Sequence, residues 1–176
     1  MRFAYADPPY LGQCGKHYKH ALHKVGLCWD NLWTHEQLIK QLTAQYPDGW
    51  ALSCSTPSLR DLLPLTPPGT RVAAWVKPYA VFKPFVRPCY AWEPVLFTGG
   101  RKTGFAQPEH GGGQVTPKDY LSVRVTDRRG LAGAKPPEFC RWVLDLLGYL
   151  EGDELVDLFP GTGIMAAVTA QGVMTI

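Results

Sequence analysis

The stretch ELVDLFPGTGIMAAVTA, residues 154–170, combines three structural signals in one short run. Residues 154–159 are apolar enough for a buried strand, residues 160–163 carry the proline and glycines of a tight turn, and residues 164–170 predict the start of a helix. Glycines at a strand-to-helix turn let a ligand approach the backbone closely, and a helix N-terminus favours a carboxylate or a phosphate. The stretch therefore predicts a strand–turn–helix unit with a ligand site at the turn; an ordinary tight turn is the alternative.

The spacing around the glycines argues against two common ligand motifs. No Lys–Ser or Lys–Thr pair follows Gly163, as a P-loop requires. Ala166 stands where the third glycine of a dinucleotide-binding GxGxxG turn would fall. The ligand of this turn therefore belongs to another class.

Strands and helices alternate along the rest of the chain, which predicts an α/β sheet with parallel members. The strands are predicted at residues 3–6, 49–56, 71–77 and 91–97, with a last short strand at 172–176. The helices are predicted from a Thr34–Gln37 capping box to Tyr46, at 58–63 and at 137–147. Residues 11–33 are predicted to be a long loop, and 99–133 a polar insertion outside the core. Three tryptophans fall in strand or helix patterns and are predicted to lie in the core: Trp75, Trp92 and Trp142.

The composition bounds the class of protein. The chain has 176 residues, 45% of them hydrophobic and 12% aromatic, with a net charge of +3, which is enough apolar material for one domain over residues 1–176. No apolar run approaches the roughly 18 residues of a membrane span, and no signal-peptide layout or internal repeat is present. Five cysteines without paired spacing are typical of reduced thiols. We therefore expect a cytoplasmic protein with no membrane partner.

A second motif, Asp7-Pro8-Pro9-Tyr10, follows the first predicted strand. An exocyclic amine on a nucleobase is a poor nucleophile, because its lone pair is conjugated with the ring. The Asp7 carboxylate and the Pro8 carbonyl, held by the fixed φ of the prolines, could accept its two N–H bonds and localise that lone pair on nitrogen. The ring of Tyr10 offers a flat face for a base taken out of its duplex. A turn that only ends the strand is the alternative.

The two motifs together resemble the S-adenosylmethionine-dependent amino-methyltransferases of DNA, which act on adenine N6 or cytosine N4. In that family a DPPY-like tetrapeptide binds the target amine and an FxGxG turn binds the cofactor. Here the amine motif comes first, which is similar to the circularly permuted, beta-type order. The resemblance covers nearly the whole chain and is greatest with small phage-encoded adenine methyltransferases, which would place the protein in the host cytoplasm. It implies a Rossmann-like methyltransferase sheet with a target-recognition insertion at about 99–133.

The resemblance implies a role for each motif. The catalytic residues would be Asp7, Pro8, Pro9 and Tyr10. The cofactor S-adenosylmethionine would be held by Asp157, Phe159, Pro160, Gly161, Thr162 and Gly163, with Lys135 and Pro136 nearby. Transfer would be direct, since no cysteine lies in the nucleophile motif that a C5-cytosine enzyme requires.

The substrate implied is adenine N6 in DNA, with cytosine N4 and RNA adenine as alternatives. Protein-glutamine methyltransferases use Asn-Pro-Pro-Tyr after the cofactor loop, so the aspartate and the reverse order favour a nucleobase. A catalytically silent relative that binds nucleic acid is the alternative from another class.

Basic residues in two regions are predicted to contact the nucleic acid, with a solvated charged surface as the alternative. They are Lys16 and Lys19 beside Tyr10, and Arg101, Lys102, Arg128 and Arg129 in the insertion. No metal is expected, because the nearby histidines and cysteines, residues 14–28, match no closed zinc spacing.

One departure from the family pattern concerns the residues after the glycine turn. Members of the family continue to a strand that ends in Asp or Glu, which binds the ribose hydroxyls of the cofactor. Here residues 172–176, GVMTI, contain no acid. We therefore expect a sheet shortened at its C-terminal edge, and either weak cofactor affinity or a ribose contact from elsewhere in the chain.

Overall fold

The structure is a computed structural model that describes residues 1–12, 31–79, 84–102, 116–125 and 134–171. Within these residues the chain forms six strands and four α-helices, with a single 3-10 turn after the second helix. The strands are β1 (Arg2–Ala6), β2 (Gly49–Ser53), β3 (Arg71–Val76), β4 (Trp92–Gly99), β5 (Tyr120–Ser122) and β6 (Glu154–Asp157). The helices are α1 (Leu32–Gln45), α2 (Thr56–Leu62), α3 (Pro137–Leu147) and α4 (Ile164–Ala170), and the 3-10 turn is Leu63–Leu65.

All six strands belong to one mixed sheet in the order β5-β3-β4-β2-β1-β6. β1 is parallel to both of its neighbours, β2 and β6. β4 is antiparallel to β2 and to β3, and β5 is parallel to β3. The carboxyl ends of β1, β2 and β6 therefore meet at one edge of the sheet, hereafter the carboxyl edge.

Helices cover both faces of the sheet, because the side chains of a strand point alternately to its two sides. Phe3 and Tyr5 of β1 pack with the buried residues of α3 and α4 on one face. Ala4 and Ala6 pack with those of α1 and α2 on the other. The α/β sheet expected from the sequence is confirmed, and α3 and α4 occupy the predicted residues.

Several details differ from the expectation. Asn31, not Thr34, caps α1, because the Asn31 side chain accepts a hydrogen bond from the Thr34 amide at 2.9 Å and the helix begins at Leu32. Residues 99–133 contribute β5 to the sheet, where pairing with β3 satisfies its backbone. Trp92 is 36% exposed, whereas Trp75 and Trp142 are buried as predicted.

The second strand is shorter than predicted. It ends at Ser53 because Ser55 accepts the amide of Ser58 and caps α2, so that the next residues are helical. The predicted strand at 172–176 lies outside the described residues. No helix within the described ranges is long and apolar enough to cross a membrane.

Candidate active site

The two sequence motifs lie side by side at the carboxyl edge. Parallel pairing matches Tyr5 of β1 with Asp157 of β6, so the residues that follow each strand leave the sheet together. The Leu158 amide extends this ladder with a 3.0 Å hydrogen bond to the Tyr5 carbonyl. The Asp7–Tyr10 loop and the glycine turn are therefore neighbours, although the chain separates them widely.

Lys135 contacts the Asp7 carboxylate directly. Its Nζ donates to both carboxylate oxygens, at 2.9 and 2.7 Å, and its side chain is only 6% exposed. The residue precedes α3, whose first turn is set by Pro136 as N-cap and by Pro137. The helix start thus places an ammonium group against the predicted amine-binding carboxylate.

Tyr10 links this ion pair to a second carboxylate. Its hydroxyl accepts a hydrogen bond from Lys135 at 3.1 Å and donates one to Glu93 at 3.0 Å. Glu93 also binds the ammonium of Lys77 and lies 3.8 Å from that of Lys135. Two ammonium groups, two carboxylates and one phenol therefore form a single half-buried network.

Burial and charge oppose each other in this network. Burial raises the pKa of Asp7, and the Lys135 ammonium offsets only part of the rise. Burial would also raise the pKa of Glu93, but the ammonium groups of Lys135 and Lys77 outweigh it and hold that pKa below its usual value. Burial, reinforced by the charges of Asp7 and Glu93, raises the pKa of Tyr10 well above that of a free phenol. Tyr10 therefore keeps its proton.

The glycine turn is open on its outer side. Gly161 and Gly163 have φ of +46° and +73°, a region that favours glycine. A Cβ added at Gly163 would meet no atom of the described residues within 4 Å, and one at Gly161 would meet only the Phe159 carbonyl, at 3.7 Å. The backbone here is consequently accessible to a ligand at close range.

Asp157 lies where β6 ends and the turn begins. Its Oδ1 accepts the Phe159 amide at 3.1 Å, which fixes the side chain against the turn. Burial raises the pKa of this carboxyl, and the charge of Asp7 raises it further. Two carboxylates, one from each motif, thus lie close enough for the charge of one to affect the other.

The other predicted site residues differ in how deeply they are buried. Pro8 is buried, Pro9 is half-buried, and Pro160 and Thr162 are exposed on the turn. Lys135, predicted near the cofactor, contacts the Asp7–Tyr10 motif.

Two of the predicted nucleic-acid contacts, Arg101 and Lys102, are among the described residues, and neither contacts this site. Arg101 binds both carboxylate oxygens of Asp153, at 2.9 and 2.8 Å, at the amino end of β6 and thus at the opposite edge of the sheet. Lys102, the next residue, is exposed. Lys16, Lys19, Arg128 and Arg129 lie outside the described residues, as do residues 14–28 considered for metal. Within the part of the chain that is described, no cluster of histidine, cysteine or acidic residues could hold a metal ion.

Sequence reasoning missed Glu93 as a site residue. Its signal was a charged residue near the start of an otherwise apolar strand, AWEPVLF, where a buried carboxylate needs a partner. The cysteines offer no alternative nucleophile in the described core, because burial raises the pKa of Cys54 and of Cys140 to about 12.

Solved structures with a similar fold include DNA modification proteins. The complex of M1.HpyAVI with SAM matches with a TM-score of 0.58 at 15% identity, over 97% of this chain and 78% of that one. A candidate DNA modification methylase from Thermus thermophilus matches at 0.52 and 16%, over 96% and 75%. No protein-family model and no curated protein matches the chain. The chain therefore shares its α/β fold with these two proteins.

Proposed function

We propose that this protein transfers a methyl group from S-adenosylmethionine to an exocyclic amine of a nucleobase in DNA, with adenine N6 as the acceptor. The parallel pairing of β1 with β6 carries the proposal, because it brings the Asp7–Tyr10 loop, our candidate for the amine site, and the open glycine turn to one edge. The fold neighbours support the choice of cofactor, since M1.HpyAVI and the Thermus thermophilus protein have both been solved with it.

The residues of the glycine turn fit the proposed cofactor. The outer face of the turn leaves room for a ligand at Gly163, where a Cβ would meet nothing in the described chain within 4 Å. Asp157 and Phe159 frame the turn, and the carboxylate of Asp157 suits the cationic amino group of the methionine part. When bound, S-adenosylmethionine supplies a methyl group on a positively charged sulfur, which is a strong electrophile.

Asp7 and Pro8 prepare the acceptor nitrogen. The carboxylate of Asp7 and the carbonyl of Pro8 would each accept one amine N–H bond, which localises the lone pair on nitrogen and aims it away from the ring. The negative charge of Asp7 also favours the positive charge that develops on nitrogen during transfer. Holding the acceptor beside the turn accounts for much of the rate in a reaction of this kind.

Lys135 and Tyr10 hold the groups of this acceptor site in position. A carboxylate has about four acceptor positions, so Asp7 can bind Lys135 and still accept an amine N–H. The Lys135 ammonium opposes the effect of burial on the pKa of Asp7 and favours the ionised form that the reaction needs. The bonds of Tyr10 to Lys135 and Glu93 fix the angle of the ring that would stack on the base.

The test measures transfer of a labelled methyl group from S-adenosylmethionine to unmethylated duplex DNA. We expect transfer by the wild type and a fall of about 10²–10³-fold in Asp7→Ala, because one charged acceptor of the amine is lost. Mass spectrometry of the digested DNA identifies the modified base and position, and so distinguishes adenine N6 from cytosine N4. An RNA substrate of the same sequence tests the remaining alternative.

A matched control separates chemistry from stability. Asp61→Asn, on the surface of α2, removes one carboxylate outside the site, and we expect transfer within about twofold of the wild type. Cofactor binding by calorimetry should survive in Asp7→Ala. A wild type that binds DNA but neither binds the cofactor nor transfers methyl would refute the proposal in favour of a silent nucleic-acid-binding relative.

A further inference from the structure

The connection between β3 and β4 is unusual in composition. Residues 77–92, KPYAVFKPFVRPCYAW, contain five aromatic residues, two lysines, one arginine and no acidic residue. In the described part of this segment the aromatic side chains are largely exposed: Tyr79 68%, Phe85 106%, Tyr90 49% and Trp92 36%. Isolated exposed aromatics are ordinary, but four on one connection mark a contact surface.

The described parts of this segment, residues 77–79 and 84–92, lie at the carboxyl edge, beside the candidate active site. Trp92 pairs with Val76 at the end of the β3–β4 ladder, and the next residue, Glu93, binds the Tyr10 hydroxyl. Residues 85–92 line an open cleft together with Thr56, the first residue of α2. Lys77, at the other end of the segment, binds Glu93 as well. A partner lying along the segment would therefore also reach the Asp7–Tyr10 loop.

Phe85 has the highest exposed fraction among the large hydrophobic residues of the described chain. Its side chain is fully exposed, and its φ of +65° is rare for a bulky residue. Arg87, two residues further on, is exposed too. At the other end of the segment the guanidinium of Arg124 lies 4.2 Å from the Tyr79 ring centroid and donates to the Tyr79 hydroxyl at 2.9 Å. The surface thus combines an exposed apolar side chain with the positive charges of Arg87 and Arg124.

We propose that the described residues of this segment, 77–79 and 84–92, bind duplex DNA and that Phe85 enters the base stack at the place the target base leaves. The inference rests on the proposed function, since a base in a duplex must be extruded before its amine can reach Asp7. Apolar side chains that insert between base steps stabilise such distorted duplexes, and phenylalanine is one of them. Arg87 and Arg124 supply the phosphate contacts. Duplex DNA is favoured over an apolar protein partner because the segment is basic and lacks any carboxylate.

Comparison of two substrates tests the inference. A single strand needs no extrusion, so its methylation does not depend on an inserted side chain. We expect Phe85→Ala to lower kcat/KM on the duplex at least about tenfold and to change it less than about twofold on the single strand. Phe85→Trp should restore the duplex activity, because it also presents a large flat apolar group. Leu150→Ala, which removes an exposed apolar side chain at the opposite edge, should leave both activities unchanged.

A second measurement does not require methyl transfer. A duplex with one mismatched 2-aminopurine should fluoresce more strongly when wild-type protein binds and extrudes this base, and less so with Phe85→Ala. Equal kcat/KM of wild type and Phe85→Ala on the duplex, equal losses on both substrates, or equal fluorescence would each overturn the inference while the proposed function stands. Absence of transfer by the wild type would refute the proposed function, and the fluorescence comparison would still decide the role of Phe85.

Discussion

Replacement of Lys135 by methionine tests how the acceptor site is held together. The change keeps the length of the side chain but removes an ammonium that contacts both Asp7 oxygens, at 2.9 and 2.7 Å, and the Tyr10 hydroxyl, at 3.1 Å. Asp7 and Glu93 would then share a pocket with Lys77 as the nearest remaining positive charge in the described network. Their side chains are 22% and 20% exposed, so water relieves only part of the imbalance.

The expected loss of stability follows from these contacts. Removing one partner of a buried ion pair costs roughly 3–5 kcal/mol, and partial exposure of the carboxylates reduces this to about 2–4 kcal/mol at neutral pH. Burial already raises the pKa of Asp7 above its unfolded value, and loss of Lys135 raises it further. A carboxyl with a raised folded pKa destabilises the fold once it ionises, so the loss should shrink as the pH falls and Asp7 becomes protonated. Urea denaturation at several pH values measures this dependence.

Activity gives a readout that a purely structural role would not change. Since Asp7 must be ionised to accept the amine, the acidic limb of the pH profile of kcat/KM should move to higher pH in Lys135→Met. Lys135→Arg should restore the limb in part, because it keeps the charge but not the shape. Lys40→Met removes an exposed lysine, paired with Glu36 on α1. It should change the free energy of unfolding by no more than about 0.5 kcal/mol and leave the acidic limb of the pH profile where it is. An unmoved acidic limb together with unchanged stability would refute the reasoning.

Two further substitutions are predicted to act in distinct ways. Glu93→Gln should move the acidic limb to lower pH, opposite to Lys135→Met, because the charge of Glu93 adds to burial in raising the pKa of Asp7; a shift in the same direction as Lys135→Met would contradict the charge argument. Arg101→Ala should lower the free energy of unfolding by about 1–3 kcal/mol and leave the affinity for duplex DNA within about twofold, because its guanidinium is bound to Asp153 away from the site. The pKa of Asp153 is lowered to about 2, so this loss should persist to about pH 4 and fade below it as the carboxylate is protonated. Titration of fluorescently labelled DNA checks the second part, and a clear loss of affinity would instead place Arg101 at the DNA.

The sequence was sufficient to predict those elements whose signals lie within one short stretch. The apolar stripe of α3 and the glycine turn before α4 are complete within a few residues, and both occur at the predicted positions. β5 could not be predicted in this way, because three polar-flanked residues form a strand only where the edge of β3 accepts them. The cap of α1 was missed because Thr34 and Asn31 both suit an N-cap, and the hydrogen bond of the Asn31 side chain decides between them.

The candidate site was predictable in its motifs but not in its charge network. Asp7 and Tyr10 were identified from chemistry that four adjacent residues carry. Lys135 and Asp7 are 128 positions apart in the sequence, so a pattern within one short stretch cannot predict their contact. The contact of Lys135 with Asp7 was therefore not predicted, since the position of Lys135 relative to β1 is set by packing of α3 on the sheet.

The parallel ladder between β1 and β6 also has a consequence for how the protein is made. Adjacent strands lie roughly 4.8 Å apart, so the spacing between the two motifs is determined by backbone hydrogen bonds. A ribosome synthesises Asp157 150 residues after Asp7, and pairing across that interval is a slow, non-local step. In a growing chain, the Asp7–Tyr10 loop and the glycine turn are therefore not yet held side by side. Any partner that binds both of them would recognise only molecules in which β6 has already paired with β1.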